Sequence, residues 1–567
     1  MTYAADVIII GAGGGGPVVA KELGEKRVKV LLLEAGTWYG NKKWPNPNQE
    51  HGAVHDSNPE NLSHEILNRK FTGYEGDMND FVSGKFRWGP ADRNRYPWFR
   101  YIPQGGFAWQ ISGVGGTTLN YLGNSPRAFP SAVDDVWPIS YREMIPYYEK
   151  VEATLPVAPA PMTAKEELFF HGAKKAGWSL LKTLNVTSPG YRPQPNAILP
   201  TDHNINDPYF KFEENTEGCT LCGSCINGCH IGPTVEKIAK RSTLVSYIPL
   251  ALKTGNVMVR PNTFVIKILT EKDENDGLKA IGVQYRDTWT GETGELRAKV
   301  VVMAAGGIET PRLWLNSKLP NNSWIGKGLT SHWSDTVSGI FDEQILMNIL
   351  GVPNIKPYVG PNSAARLDYP GVGVIQGFGS SPGLLSTLLY AFSKDGYNFL
   401  RKTDSEEPWD VRGRVIGREL KELMMEYPRT LSVLIFTDDE VNKKSGITLD
   451  PVLKDEHGSI PVIKYYPSKK DKQKRDKLAV IATNILKKAG AKKIIRTDCS
   501  PYLFAHLEST MRMGYVTDAN CEAFQVKRLF IADNSVLYNS LGGPNPTLTT
   551  QALATRTAEK LTQKYFC

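Results

Sequence analysis

The sequence predicts an α/β protein in which a parallel-sheet domain is interrupted by a smaller antiparallel-sheet and helix domain. Three observations lead there. Residues 6–10 form a β-branched run that enters Gly-Ala-Gly-Gly-Gly-Gly, followed by a helical segment to Leu23 and a second apolar run, 28–33, ending in Glu34. That order is strand, glycine turn, helix, strand. Short β-rich runs resume far downstream at 257–269, 282–287 and 298–304, with a helical pattern at 309–316, and read as a return to the same domain. Between 340 and 499 the pattern changes to short strands at 431–436, 447–449 and 461–466, then one long helix at 470–489 closed by Gly490.

The remaining elements follow from local signals. Residues 140–153 read as a helix capped by Ser140, with Glu143 three residues on completing a capping box. Residues 38–100 are rich in Asn, Pro, Gly, Trp and Tyr without periodicity, which suggests an ordered excursion. The C-terminal stretch supplies a strand at 529–533 and a helix at 545–564, with Thr547 or Thr549 near its cap. The expected domains are 1–339, carrying the excursion and a cysteine segment at 219–229, then 340–499 for substrate binding, then 500–567 returning to the first domain.

Composition narrows the class. A chain of 567 residues with 41% hydrophobic and 22% charged residues is neither a coiled coil nor disordered. The net charge of +8 is spread thinly, and the densest basic run, 469–477, contains two acids, so it reads as a solvated helix start and nucleic acid is not expected as a partner. No segment approaches the ~18 uninterrupted apolar residues of a membrane helix. The N-terminus lacks a basic region and a cleavage site, so it reads as a first strand, and the cytoplasm is the expected compartment. Export bound to a partner subunit, to the periplasm, is the alternative.

Gly11, Gly13 and Gly16 occupy Gly-x-Gly-x-x-Gly between strand and helix. The first permits the tight turn, the second lets a pyrophosphate approach the backbone, and the third lets helix and strand pack closely. Glu34 ends the second strand, where a carboxylate can accept hydrogen bonds from both ribose hydroxyls of an adenosine. This loop alone does not decide between FAD and NAD.

Further segments carry a family resemblance: HLESTMRMG from His506, FIADNS from Phe530 and GGPNPTLTTQALATRTAEKL from Gly542. Together with GGTTLN at 115–120, AAGGIETPRL from Ala304 and IGKGLTSH ending at His332, in that family's order, they resemble the glucose–methanol–choline (GMC) oxidoreductases. The chain is most similar to cysteine-containing sugar, gluconate and fructose dehydrogenase large subunits and to pyranose-oxidase-like members. The resemblance implies the GMC fold, with a discontinuous Rossmann-like FAD domain, and oxidation of an alcohol with hydride transfer to flavin N5. It places His506 at the catalytic base and Asn545 at its partner position. Imidazole is the natural acceptor for a hydroxyl proton near neutrality, and Asn545 can orient the same oxygen. It also implies that Asp533 holds the ribityl or pyrophosphate end, that the backbone of Val265 meets the adenine, and that Gly115, Gly116 and Asn120 pack beside the isoalloxazine. Asn120 stands where pyranose oxidases carry a flavin-linked histidine, so non-covalent FAD is expected.

Cys219, Cys222, Cys225 and Cys229 have the spacing by which bacterial ferredoxins offer thiolates to iron–sulfur clusters, with His230 where proline usually follows. An iron–sulfur cluster (3Fe-4S or 4Fe-4S), zinc, disulfides and an unmetallated remnant all stay open. A cluster would favour a dehydrogenase passing electrons to an acceptor protein or small subunit; without one, oxygen becomes the acceptor and hydrogen peroxide the product. The expected substrate is a sugar, amino sugar or sugar acid. Two other classes stay open: an NAD-linked dehydrogenase using the same loop, and a flavoprotein without turnover.

Overall fold

Strands buried on both faces need continuous apolar runs, and Ala5–Ile10 has one, with Val7, Ile8 and Ile9 wholly buried. In the computed structural model this strand lies at the middle of an eight-stranded sheet. It pairs in parallel with Val30–Leu33 on one side and with the C-terminal half of Thr293–Met303 on the other. Val257–Arg260 extends the parallel layer beyond Val30–Leu33, and Leu529–Ile531 pairs in parallel with Val301, Val302 and Met303. The N-terminal half of Thr293–Met303 leaves this layer and runs antiparallel to Leu278–Asp287, which in turn pairs with Thr263–Lys272. The structure describes residues 3–36, 38, 100–134, 136–200, 218–223, 225–226, 229, 239–273, 277–288, 290–379, 381–390, 392–393 and 407–567. The excursion expected over 38–100 therefore lies, apart from its two ends, outside the described residues.

Helix Gly16–Glu25 packs on Tyr247–Lys253 and on the C-terminal helix Thr547–Tyr565, which also packs on Tyr141–Thr154. Ser140 caps the last of these by accepting from the Glu143 N–H at 3.2 Å. The reciprocal half of the expected box gives way to tertiary structure: the Glu143 carboxylate pairs with Arg556 at 2.8 Å.

The second sheet has seven strands, ordered Val411–Arg412, Lys493–Arg496, Ser334–Ile340, Thr430–Thr437, Gly373–Phe378, Ala365–Tyr369 and Gly190–Pro193. It is antiparallel apart from its first pair, and it takes one edge strand from far upstream of the region where the sequence suggests this domain. Helices Lys469–Lys488 and Ala164–Lys175 cover one face, around core residues such as Val433, Ile435 and Leu478. The basic run is the solvated start of Lys469–Lys488, whose Ser468 and Asp471 form a capping box.

The strands expected at 447–449 and 461–466 do not join that sheet. Gly446–Asp455 and Gly458–Lys464 form a separate hairpin against helix Gly306–Asn316. Their apolar face explains this, because Ile447, Ile463 and Tyr465 pack with Ile308, Phe504 and Leu507. Among the described residues, no helix is long and apolar enough to cross a membrane.

The third loop glycine is a point of close approach between the helix start and the end of the first strand. A Cβ on Gly16 would lie 2.0 Å from the Gly11 carbonyl oxygen. Gly16→Ala should therefore cost about 1–3 kcal/mol by overpacking, measured as a lowered urea midpoint; an unchanged midpoint would show that the contact is not tight.

Candidate active site

The glycine turn, the ends of the parallel strands and the start of the C-terminal helix enclose a cavity of about 190 Å³. Gly11, Gly13, Gly14 and Gly15 form one wall, with Glu34, Val265 and Asp533 farther along it. Helix Gly16–Glu25 has no side-chain cap and no acid in its first turn; Pro17 carries no N–H, and the Val18 N–H donates to the Gly15 carbonyl at 3.1 Å. The C-terminal helix likewise begins without a side-chain cap or first-turn acid, and its Thr547 and Thr550 face the same cavity. A Gly116 Cβ would come within 2.7 Å of Gly13 Cα, so two glycines bring the loops into backbone contact. Gly116 lines the cavity, whereas Gly115 turns with φ +107° against Leu119 and Leu244.

Glu34 does more than face a ribose. Its Oε2 accepts from the Ala12 N–H at 2.8 Å, and its Oε1 accepts from Gly36 at 2.8 Å and Gly113 at 2.9 Å. Asp533 ties the strand ends together: Oδ2 accepts from the Gly306 N–H at 2.9 Å and Thr310 Oγ1 at 2.6 Å, and Oδ1 from the Ser535 N–H at 2.8 Å. Burial raises the pKa of both carboxyls. Beside Val265, the ring of Phe264 stacks on His457 with centroids 3.8 Å apart. His457 sits in the hairpin turn, and no local motif pointed to it.

A second cavity, of about 170 Å³, abuts the first; Thr117, Thr118, Asn534 and Thr547 line both. His506 and Asn545 face this second space, and so does Asn120, which donates from Nδ2 to the Ile226 carbonyl at 2.9 Å. Its far wall is apolar, with Phe378, Leu384, Leu388, Leu434 and Phe436. His506 Nε2 and Asn545 Nδ2 are 3.4 Å apart. A directed amide chain sets Asn545: Asn124 donates to Gln376 Oε1 at 2.9 Å, and Gln376 donates to Asn545 Oδ1 at 2.6 Å. The Asn545 N–H₂ is thereby turned toward the His506 ring. Burial, and then the neighbouring His332, hold the His506 pKa well below its ordinary value. His332 Nδ1 lies 2.7 Å from His506 Nδ1, a partnership that sequence position did not reveal.

Cys219, Cys222, Cys225 and Cys229 are all free thiols and line one small cavity of about 10 Å³. Burial pushes Cys219 up to about 11 and Cys225 up to about 12. Buried Lys240, pushed down to about 8 by the same desolvation, donates to the carbonyls of Leu119 at 2.7 Å, Tyr121 at 2.9 Å and Cys225 at 2.6 Å. No three of these sulfurs lie within 4.8 Å of one another, so they are not gathered around a single metal ion; a multi-iron centre, whose thiolate ligands stand farther apart, would drive their deprotonation on binding. Next in sequence, Ile226 lines the second cavity, so the cysteine segment borders both spaces.

A glycine-lined cavity of the dinucleotide-binding kind meeting a histidine-bearing one is the arrangement of a dinucleotide-dependent oxidoreductase. GMC oxidoreductase family models match residues 106–334 and 442–554, and the chain belongs to that family. It is 26% identical to 2-methyl-1,2-propanediol dehydrogenase of Mycolicibacterium austroafricanum, covering 99% of this chain and 95% of that one. It is 25% identical to 6'''-hydroxyparomomycin C oxidase of Streptomyces lividus, over 98% and 91% of the two chains. It is also 25% identical to the fructose dehydrogenase large subunit of Gluconobacter japonicus, over 99% and 98%. An R554A variant of formate oxidase from Aspergillus oryzae shares the fold, with a TM-score of 0.62 at 13% identity over 100% and 99% of the two chains.

The dinucleotide cavity fits FAD by its glycine wall and by the Glu34 carboxylate that lines it. Glu34→Ala would strip acceptors from three backbone N–H groups, at about 1–3 kcal/mol for each one left buried and unsatisfied. The expected result is a lowered thermal midpoint together with less FAD per purified chain; full FAD content at an unchanged midpoint would contradict this role.

Proposed function

We propose that the protein oxidises an alcohol group of a small hydroxylated molecule, with FAD as hydride acceptor and His506 as base. The observation that carries this is the juxtaposition of His506 Nε2 and Asn545 Nδ2, 3.4 Å apart, in a cavity that opens on the glycine-lined one. FAD, when bound, supplies a two-electron acceptor for the carbinol hydride. Gly11, Gly13, Gly116, Glu34, Val265 and Asp533 would hold it, with Gly16 packing the helix start against the loop. His506 Nε2 takes the hydroxyl proton, while the Asn545 N–H₂ orients the same oxygen. The apolar wall excludes water and raises the cost of leaving alkoxide charge without a nearby cation.

His506→Ala should lower the rate of anaerobic flavin reduction by about 10²–10⁴-fold with FAD retained, and Asn545→Ala should lower it less. Undiminished reduction in the first variant rejects the assignment. Because only the neutral imidazole is a base and its pKa is depressed, the rate should fall on acidification with a midpoint below the ~6.5 of free histidine.

The substrate class proposed is a sugar, amino sugar or sugar acid, supported by the names of the fructose and paromomycin relatives. A compact diol is a second reading, favoured by the apolar wall and by the propanediol dehydrogenase relative. We further propose non-covalent FAD, since the Asn120 amide offers no group for a flavin bond. Cys219, Cys222, Cys225 and Cys229 would bind an iron–sulfur cluster, with single electrons leaving to an acceptor protein or subunit. Acid precipitation of anaerobically purified protein should release all the flavin, and metal analysis should return about three or four irons per FAD. Flavin in the pellet would overturn the first of these proposals; FAD without iron would overturn the second and point to oxygen as acceptor.

A further inference from the structure

Behind His506, away from the substrate cavity, lies a wholly buried group of residues that proton removal at Nε2 does not by itself require. His332 Nε2 is 2.7 Å from the carbonyl oxygen of Ser540. A carbonyl only accepts, so His332 carries its hydrogen on Nε2. A neutral His332 then has a lone pair on Nδ1, and His506, whose Nδ1 lies 2.7 Å away, must be the donor in that contact. His506 is thereby left with its lone pair on Nε2, facing the cavity and the Asn545 N–H₂. The Ser540 carbonyl, through His332, selects the one His506 tautomer that can act as a base toward substrate.

The surroundings hold His332 firmly in place. Its backbone adopts φ +51°, a left-handed conformation uncommon for residues other than glycine. Asp439 holds it by accepting from the N–H of Ser331 at 3.0 Å and of Trp333 at 3.0 Å, on either side of the histidine. Tyr465 donates to Asp439 at 2.6 Å, and Thr437 also donates to it. Glu508 lies on the other side, wholly buried, with Oε2 3.7 Å from His332 Nε2 and Oε1 without a hydrogen-bond partner. Thr330 donates to Oε2 at 3.3 Å, and Asp438, joined to Ser540 Oγ at 2.8 Å and to Lys474, is the remaining charged group nearby.

We propose that His332 is the positioning residue of the base, and that His332 and Glu508 form a buried relay that shares the proton His506 removes. This rests on the assignment of His506 as base. In the balanced step the substrate O–H bond breaks and its proton goes to His506 Nε2, while the carbinol C–H bond breaks and its electron pair leaves as hydride to the flavin. The alcohol carbon is oxidised and the flavin reduced. The former Nδ1 proton of His506 passes to His332 Nδ1, which places the positive charge beside the Glu508 carboxylate instead of at the substrate cavity.

Three variants separate the parts, each measured as holoprotein with its FAD content, by anaerobic flavin reduction across pH. His332→Leu removes the acceptor and should cut the reduction rate by about tenfold or more with little change in half-saturating substrate. His332→Asn offers an amide oxygen near the former Nδ1 but cannot take a proton; it should restore only part of that rate. Burial pushes Glu508 up to about 7, so it is a counter-charge at neutral and higher pH; Glu508→Gln should slow reduction there, with the difference from wild type shrinking on acidification below that value. A His332→Leu rate and pH profile equal to wild type, with His506→Ala inactive, would overturn the relay and leave the base assignment standing. Full rescue by His332→Asn with an unmoved Glu508→Gln profile would reduce His332 to tautomer selection and overturn the proton sharing. An active His506→Ala would overturn the base assignment itself.

Discussion

The active site depends on the parallel pairing of strand Thr293–Met303 with both Ala5–Ile10 and Leu529–Ile531. Backbone ladders leave little freedom in register, and these two join the N-terminal glycine turn, the middle of the chain and its C-terminal end at neighbouring positions. Asp533 lies two residues beyond one strand, and its Oδ2 accepts from the Gly306 N–H just beyond another. The same carboxylate caps the turn Asn534–Val536, from which Asn534 reaches both cavities. Loss of this pairing would separate the nucleotide wall from the segment that carries His506 and Asn545.

The second sheet completes what the first begins. One face buries an aliphatic core under two helices; the opposite face turns Phe378, Leu434 and Phe436 toward the cavity that His506 lines. Gln376 projects from the same strand as Phe378 to fix the Asn545 amide. A structural sheet thus supplies both the apolar wall of the second cavity and the hydrogen bond that orients the Asn545 amide. Thr118 Oγ1 and Thr243 Oγ1, 3.0 Å apart, bind the segment between the cavities to the glycine loop, since Thr243 Oγ1 also donates to the Gly13 carbonyl at 2.9 Å.

Features written in contiguous residues were legible in the sequence. The glycine turn and Glu34 announce a dinucleotide loop because their chemistry requires fixed short spacings, and the segments around His506 and Asn545 carried the family resemblance. Features made by distant partners were not legible. The hairpin Gly446–Asp455 and Gly458–Lys464 has good strand composition, but composition cannot say which surface its apolar face will meet. Glu143 has the position of a capping-box acid, yet Arg556, distant in sequence, takes its carboxylate. Likewise, nothing local marks Gly190–Pro193 as a sheet edge, or His332 and Glu508 as neighbours of His506. His332 stood in a quoted motif, but only tertiary contact shows what its ring touches.

Chemistry and structure meet at one atom, the oxygen of the alcohol that reacts. A crystal structure of the FAD-loaded protein with a bound, non-reacting alcohol analogue would test the account most directly. The hydroxyl oxygen should lie within hydrogen-bond reach of both His506 Nε2 and Asn545 Nδ2, with its carbon turned toward the flavin. An analogue seated with that oxygen away from both side chains, in a cavity otherwise unchanged, would contradict it.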